Sequence, residues 1–336
     1  MPATRPLVAA APMAGISNRA YRDICRAHGA DLVYGEMVSA TALHYQNRRT
    51  RELLDLQGEK SLRLVQLFGS VPEYMAEAAY IVKDLGAEAI DINMGCPVPK
   101  VVKNGEGAAL MQNPALAQAL VQAAARSGLP VSVKIRLGWD EAQRNAADFA
   151  QSMEAAGAVC VAVHCRTRMQ MYQGQADWPM AAEVKRRLSI PVLVNGDIFS
   201  PAQALAALEQ SGCDGVMIGR GMLGNPWLFR QTVAVLQGKT PPPPPTSAEI
   251  IRQAMSHLRQ HRGRCRYWSC WRHGSSGPEA LADGELAAVR SMRTPLAWYV
   301  RGLPHAAALR RDLNRLTSVA EIEALFAAYL DGKYGP

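Results

Sequence analysis

The sequence predicts a (β/α)8 TIM barrel followed by a small C-terminal helical bundle, and three observations carry the prediction. Eight short apolar runs alternate with helical patterns over roughly the first 240 residues, the number and order of units that a TIM barrel needs. The runs are mostly unbroken by polar residues, as expected of strands covered on both faces in a parallel sheet. Five consecutive prolines, Pro241 to Pro245, then end the alternation, and only helical patterns follow.

In order, the predicted strands are Leu7–Ala11, Leu32–Gly35, Leu62–Leu67, Ala89–Asn93, Val131–Arg136, Val159–His164, Val192–Asn195 and Gly215–Ile218. Between them, Asn18–His28 carries apolar residues at helical spacing. Pro72–Leu85, Pro114–Ser127 and Pro201–Gln210 each open with a proline, which suits a first helical turn, where no backbone donor is needed. Beyond the prolines, Ala248–His261, Glu285–Val300, Ala306–Leu313 and Val319–Leu330 read as helices. The implied organisation is a catalytic barrel over residues 1–240, a stiff linker at 241–245 and a helical domain over 246–336.

With 336 residues and an apolar fraction of 49%, the chain has ample material for a large core. No apolar run approaches the roughly 18 residues that span a bilayer. Met1 to Pro6 lead straight into the first strand without a signal-peptide pattern, so a cytoplasmic protein with no membrane association is expected. Seven cysteines in no regular framework fit reduced thiols better than a disulfide scaffold. The net charge of +8 favours a polyanionic partner. Much of that charge lies in the helical domain, at Arg252, Arg259, Arg262, Arg264, Arg266, Arg272, Arg290, Arg293, Arg301, Arg310, Arg311 and Arg315. Arginine pairs with phosphate oxygens and stacks on bases, which makes this domain the expected nucleic-acid surface.

The active site of a TIM barrel is built from loops at the C-terminal ends of its strands. At one such end, Asp91-Ile92-Asn93-Met94-Gly95-Cys96-Pro97 holds a cysteine between a glycine and a proline. A lone cysteine is most often a small buried hydrophobe. Here Asn93 shares the strand end, Gly95 permits close approach and Pro97 fixes the turn, all of which favour chemistry. A thiol near its ordinary pKa of about 8.5 stays protonated at neutral pH and can donate a proton, unless nearby cations turn it into a thiolate. The other strand ends supply Pro12-Met13-Ala14-Gly15, Gln66, Lys134 and Arg136, His164, Asn195-Gly196-Asp197 and Gly219-Arg220-Gly221. Glycines after strands seven and eight lie where such barrels bind a phosphate. A lysine beside that site could stabilise negative charge on a reduced flavin.

These motifs, together with His164-Cys165-Arg166-Thr167-Arg168 and Leu296-Ala297-Trp298-Tyr299 in the tail, resemble the tRNA-dihydrouridine synthases, the bacterial B-type subgroup most of all. The resemblance implies an FMN-dependent enzyme that reduces the C5–C6 double bond of a D-loop uridine in tRNA, with NADPH or NADH as electron donor. It implies that Pro12, Met13, Ala14, Gln66, Lys134, His164, Asn195, Gly196, Asp197, Gly219 and Arg220 bind FMN. Cys96 would protonate the base, while Asn93, Arg136 and Arg166 would hold it. No metal and no stable protein partner are implied. A small-molecule flavin barrel of the dihydropyrimidine or dihydroorotate dehydrogenase type would share the phosphate glycines but leave the basic tail without a role. A non-catalytic tRNA-binding protein would need neither Cys96 nor Lys134.

Two departures from the family pattern stand out. Cys165 occupies a position where glycine is usual, which is expected to crowd the loop slightly. The segment Gly263–Gly284 reads as an insertion, a mobile loop or an altered reading frame, and Thr294-Pro295 is expected to interrupt the helix that follows. Cys265 and Cys270 lack a second ligand pair at zinc-finger spacing.

Overall fold

Runs of β-branched residues ended by glycine or polar turns give eight strands: β1 (Leu7–Ala10), β2 (Leu32–Ser39), β3 (Leu64–Phe68), β4 (Ala89–Met94), β5 (Val131–Arg136), β6 (Ala158–His164), β7 (Val192–Asn195) and β8 (Gly215–Ile218). In the computed structural model, which describes residues 5–59 and 62–334, they form a closed, all-parallel barrel in sequence order, with β8 pairing back onto β1. The expectations for the extreme N-terminus and for the last two residues of the tail fall outside the described residues. β2 continues past the expected Gly35 because a register shift between Tyr34 and Met37 lets it follow β3 to Ser39.

The strands that read as unbroken apolar runs alternate in space. Outward side chains such as Val8, Ile90, Ile92, Val133, Ile135, Val161 and Val163 pack beneath the helices. Ala9, Tyr34, Leu64, Ala89, Ala162, Leu193 and Met217 form a separate inward cluster that fills the barrel. Nearer the C-terminal ends the inward positions turn polar, at Gln66, Asp91, Asn93, Ser132 and Asn195, all of them buried.

Pro241–Pro245 adopt neither helix nor strand, and helices Ser247–His273, Pro278–Tyr299, Ala306–Leu313 and Val319–Leu330 follow. Their core of Ile251, Leu258, Met292, Leu296, Leu309, Ile322 and Phe326 takes in Trp227 from the last barrel helix, Trp227–Leu236. His257 stacks on Tyr21 of the barrel at 5.2 Å and meets the Tyr299 hydroxyl at 3.4 Å. Burial pushes this imidazole down to about 3, so it is neutral in the seam. Among the described residues, no helix is long and apolar enough to cross a membrane.

The segment expected as a mobile loop is instead parts of two helices and a short turn. The Ser247–His273 helix opens with a capping box between Thr246 and Glu249 and runs unbroken to a left-handed glycine cap at Gly274. The next helix starts at Pro278 and passes through Pro295 without interruption. The missing donor is tolerated because Met292, Pro295, Leu296 and Tyr299 are all buried along that face, so packing outweighs one backbone bond. The two helices can approach because residue 284 is glycine: a Cβ there would lie 2.6 Å from Arg266 Cα. Glu285 then accepts from both Arg262 (2.8 Å) and Arg266 (2.5 Å).

The tail is therefore less free in charge than its sequence suggests. Arg259, Arg262, Arg264, Arg266, Arg272 and Arg311 are committed to ion pairs with Glu323, Glu285, Asp55, Glu285, Glu52 and Asp312 in turn. Arg264 and Arg272 pin the long helix to the barrel.

Replacing Gly284 with valine should destabilise the fold by about 1–3 kcal/mol, because the neighbour it meets is backbone and cannot rotate away. Gly263 lies in the long helix with nothing within 4 Å of a would-be Cβ, so Gly263→Ala should stabilise by about 0.5–1 kcal/mol. Urea denaturation of both variants tests the pair of opposite signs.

Candidate active site

Barrel register brings the polar strand ends together, setting Asn93 beside Lys134, Arg136 beside His164, and His164 beside Asn195. With the loops above them they wall a cavity of about 290 Å³. Pro12, Met13, Ala14, Gln66, Asn93, Cys96, Lys134, Arg136, His164, Asn195, Gly196, Asp197, Gly219 and Arg220 all line it. Arg166, expected at the base, does not. It is fully buried beside the cavity, where it donates to the Gln173 and Gly174 carbonyls and to Asp197. Its guanidinium shapes the β6 loop and holds Asp197, whose other oxygen accepts from Arg220 at 2.8 Å.

A chain of hydrogen bonds runs from the barrel interior to the thiol loop. Asp91 accepts from Ser132 and from Gln66 Nε2, both at 2.6 Å. Gln66 Oε1 in turn accepts from Asn93 Nδ2 at 2.9 Å, and Asn93 Oδ1 accepts the Cys96 backbone N–H at 2.8 Å and that of Gly95 at 3.2 Å. Asn93 thus anchors the Cys96 turn before it offers anything to a ligand. Burial raises the Asp91 carboxyl to about 6, against the opposing hydrogen bonds from Gln66 and Ser132.

Cations dominate the walls. Burial and then the Arg136 charge bring the Lys134 ammonium down to about 8, and its hydrogen-bonding partner is a neutral amide, Asn195 Oδ1, at 3.1 Å. Arg136 gives its donors to the carbonyls of Gly95, Thr167 and Met171. His164 is held well below its ordinary pKa by burial and by the surrounding Arg and Lys charges, so it is a neutral imidazole. Burial raises the Cys96 thiol despite Arg136 and Lys134, which leaves it protonated.

On the β7–β8 side the backbone is glycine by necessity. A Cβ on Gly196, where φ is +124°, would sit 2.8 Å from Ala176 Cβ, and one on Gly221 would meet the Ile198 carbonyl at 2.1 Å. Gly219 has no protein atom closer than 3.8 Å to its missing side chain, which leaves open room beside Arg220. Cys165, just past the end of β6, is buried with its thiol turned to the Val163 carbonyl, so it adds no bulk to the mouth.

Five lining residues escaped the sequence reading: Met37, Val98, Tyr172, Ile198 and Phe199. Met37 lies in the part of β2 beyond the register shift. Tyr172, about half exposed, is approached by Arg220 at 5.0 Å and Arg136 at 5.7 Å, and Phe199 takes the Arg220 guanidinium at 5.5 Å. Neither aromatic is adjacent to a motif that marks it.

A cationic barrel mouth with a glycine cradle at β7–β8 and a protonated thiol is the equipment of an enzyme that binds an anionic ligand and moves a proton. The comparisons narrow this class: residues 8–274 match the family described as dihydrouridine synthase (Dus), and the chain belongs to that family. It is 39% identical to a probable tRNA-dihydrouridine synthase 1 of Synechocystis sp., over 92% of this chain and 82% of that one. It is 38% identical to the tRNA-dihydrouridine synthase B of Shewanella oneidensis, over 96% and 94%. A probable tRNA-dihydrouridine synthase of Rhodobacter capsulatus is 41% identical over 95% and 93%. Among solved structures, a histamine dehydrogenase from Rhizobium sp. superposes with a TM-score of 0.50 at 11% identity, over 75% of this chain and 48% of that one. A 2-naphthoyl-CoA reductase gives 0.52 at 10%, over 69% and 50%. Both share the barrel fold.

The Asp91 carboxyl makes a pH-dependent contribution to stability that can be isolated. Its folded pKa, about 6, lies above its unfolded value of about 3.9, so its contribution is full below pH 4 and lost as pH rises through about 6. The stability difference between wild type and Asp91→Asn should therefore change between pH 4.5 and pH 7 and level off above, as read from urea midpoints across that range.

Proposed function

We propose that the protein reduces the C5–C6 double bond of a D-loop uridine in tRNA to 5,6-dihydrouridine, with FMN in the barrel mouth and NADPH or NADH as the electron source. The observation that carries this reading is the protonated Cys96 thiol, fixed in the cavity that Lys134 and the β7–β8 glycines also line. Family membership favours a tRNA uridine over a small-molecule pyrimidine, and an enzyme over a passive tRNA binder.

The residues present fit a flavin mononucleotide. Gly219 with its open side, Gly196, and the Arg220 guanidinium suit its phosphate, and Lys134, whose ammonium has only a neutral partner, suits an electron-rich ring edge. Pro12, Met13, Ala14, Gln66, His164, Asn195 and Asp197 would complete the cofactor wall. When bound, the flavin supplies a hydride equivalent to C6 of the pyrimidine. Cys96 donates the matching proton to C5, which its raised pKa allows at neutral pH. Asn93 holds the Cys96 turn in place by accepting from the Gly95 and Cys96 amides, and its Nδ2, which donates to Gln66 Oε1 and over 3.8 Å to the Met37 sulfur, would turn the weaker of these two bonds toward the base. Arg136 fixes the opposite side of that turn through the Gly95 carbonyl. Arg166 acts one step further back, as a positioning residue for Asp197 and Arg220. The base must leave the tRNA fold to reach this depth, at a cost of a few kcal/mol. In the tail, which we read as the tRNA-binding domain, exposed Arg252, Arg290, Arg301, Arg310 and Arg315 make no ion pair among the described residues and are free to contact phosphates.

Two measurements test this reading. Cys96→Ala should keep the fold, the flavin and flavin reduction by NADPH, yet slow dihydrouridine formation by about 10²- to 10⁴-fold in single turnovers of pre-reduced enzyme with tRNA. Normal dihydrouridine formation by this variant removes Cys96 from the mechanism.

The second concerns Lys134. Loading an electron-rich ring beside its ammonium raises the lysine pKa, so the free site loses this proton at about pH 8 while the loaded site keeps it. Affinity for FMN is then flat below pH 8 and falls by about tenfold per unit above it. Lys134→Met should abolish that dependence in flavin-fluorescence titrations.

A further inference from the structure

The end of the Ser247–His273 helix and the turn after it form one wall of a cleft whose other wall is the barrel rim. Gln46, Arg48 and Arg51 face Trp271, Arg272 and His273 across it. Arg48 and Arg51 are exposed and make no ion pair among the described residues. The carboxylates nearby are already engaged: Glu52 holds Arg272 at 2.6 Å and Asp283 holds His273 at 2.9 Å. The first of these pairs ties the helix tip to the barrel, so the cleft is preformed. Trp271 is 43% exposed, and Trp268 braces it edge-on at 5.6 Å.

The cleft continues toward the active site. Tyr45 and Asn47, flanking Gln46, line a groove that also holds Lys100 and reaches Ala14, Met37 and Val98, three residues that wall the catalytic cavity. Tyr45 is 70% exposed, and His44, itself stacked on Tyr74 at 3.9 Å, supports it at 4.8 Å. The carboxylates here are Glu77, bound to His44, and Glu106 in the groove. Two braced, solvent-facing aromatic rings with unpaired cations between them are what an unpaired polynucleotide strand needs, since bases stack on the rings and phosphates meet the cations.

Building on the tRNA reading above, we propose that this track carries the unpaired RNA strand flanking the target uridine. Tyr45 and Trp271 stack on bases, while Arg48, Arg51 and Lys100 contact phosphates. The Gly263–Gly284 segment is on this view an extension of the substrate surface.

The test is steady-state and binding analysis of the flavin-loaded full chain with tRNA. Trp271→Ala should raise the KM for tRNA by roughly fivefold to a hundredfold, the range one stacked base carries. Trp271→Phe should restore it to within about threefold of wild type, since a smaller ring still stacks. Arg48→Gln with Arg51→Gln should reduce the salt slope of tRNA binding by about 0.7 for each phosphate that no longer meets a cation. Flavin content and melting temperature serve as controls for folding and should hold, because all three side chains are exposed. A protein partner as occupant predicts wild-type KM and salt slope in every variant, and that result overturns the track. A wild-type protein that forms no dihydrouridine overturns the tRNA reading itself, and is seen before any variant is made.

Discussion

Everything in this molecule depends on the contact that closes the barrel. β8 pairs with β1 in the register Leu7 to Gly215, and a Cβ on Gly215 would lie 2.5 Å from the Leu7 carbonyl and 2.8 Å from a Leu193 methyl. Glycine is the residue that lets three strands meet there. Closure makes the first and last βα loops neighbours, so Pro12 to Ala14 and Gly219 to Gly221 line the same cavity although they lie at opposite ends of the barrel sequence. The Ala11 amide bonds the Ile218 carbonyl at 2.9 Å, and Asn195 Nδ2 donates to the Met217 carbonyl at 2.7 Å, which carries the closure up to the level of the chemistry.

Inside the closed sheet, polar burial has to be settled before function is possible. Asp91, Gln66, Asn93 and Ser132 are buried, and each satisfies the next. A half-satisfied network of this kind would cost more than an apolar core, so its completeness is a condition of folding as much as of catalysis. Its outer end is the Cys96 amide, and its inner end is a carboxyl raised to about 6. The thiol loop is thereby fixed to the barrel interior rather than to the surface loops.

The barrel was legible because each strand and four of its helices announce themselves locally, through apolar runs and proline-initiated turns, whereas the helices Ala146–Ala155, Pro179–Arg187 and Trp227–Leu236 were not singled out; the cavity lining was legible because a parallel barrel has only one place for it. What escaped the sequence was set by contacts between distant segments. The end of β2 depends on its pairing with β3, so Met37 went unseen. Tyr172 and Phe199 gain meaning only from guanidinium groups on other loops. Arg166 looked like a ligand because its carbonyl and carboxylate partners at 173, 174 and 197 are not its sequence neighbours. Gly263–Gly284 looked broken because glycine, serine and proline are dense there. The helical outcome rests on the close pass at Gly284 and on Glu285 between two arginines, neither of which shows in a local window.

The balance at Cys96 keeps the thiol in its neutral form, as the proposed role of proton donor needs. Two cations stand nearby, and in an open site they would depress a thiol toward the thiolate. Here burial is the largest influence and the Arg136 and Lys134 charges rank below it, so the net displacement is upward. The reason lies in where those cations are directed. Arg136 is held by three carbonyl oxygens, of Gly95, Thr167 and Met171, and Lys134 by Asn195, so neither is bonded to the sulfur. The positive charge that burial prevents from ionising the thiol still faces the cavity, where it meets whatever negative charge a ligand brings. A neutral acid and an uncompensated cationic wall can therefore coexist within one barrel mouth, and that coexistence is what the proposed hydride addition and protonation of a pyrimidine would require.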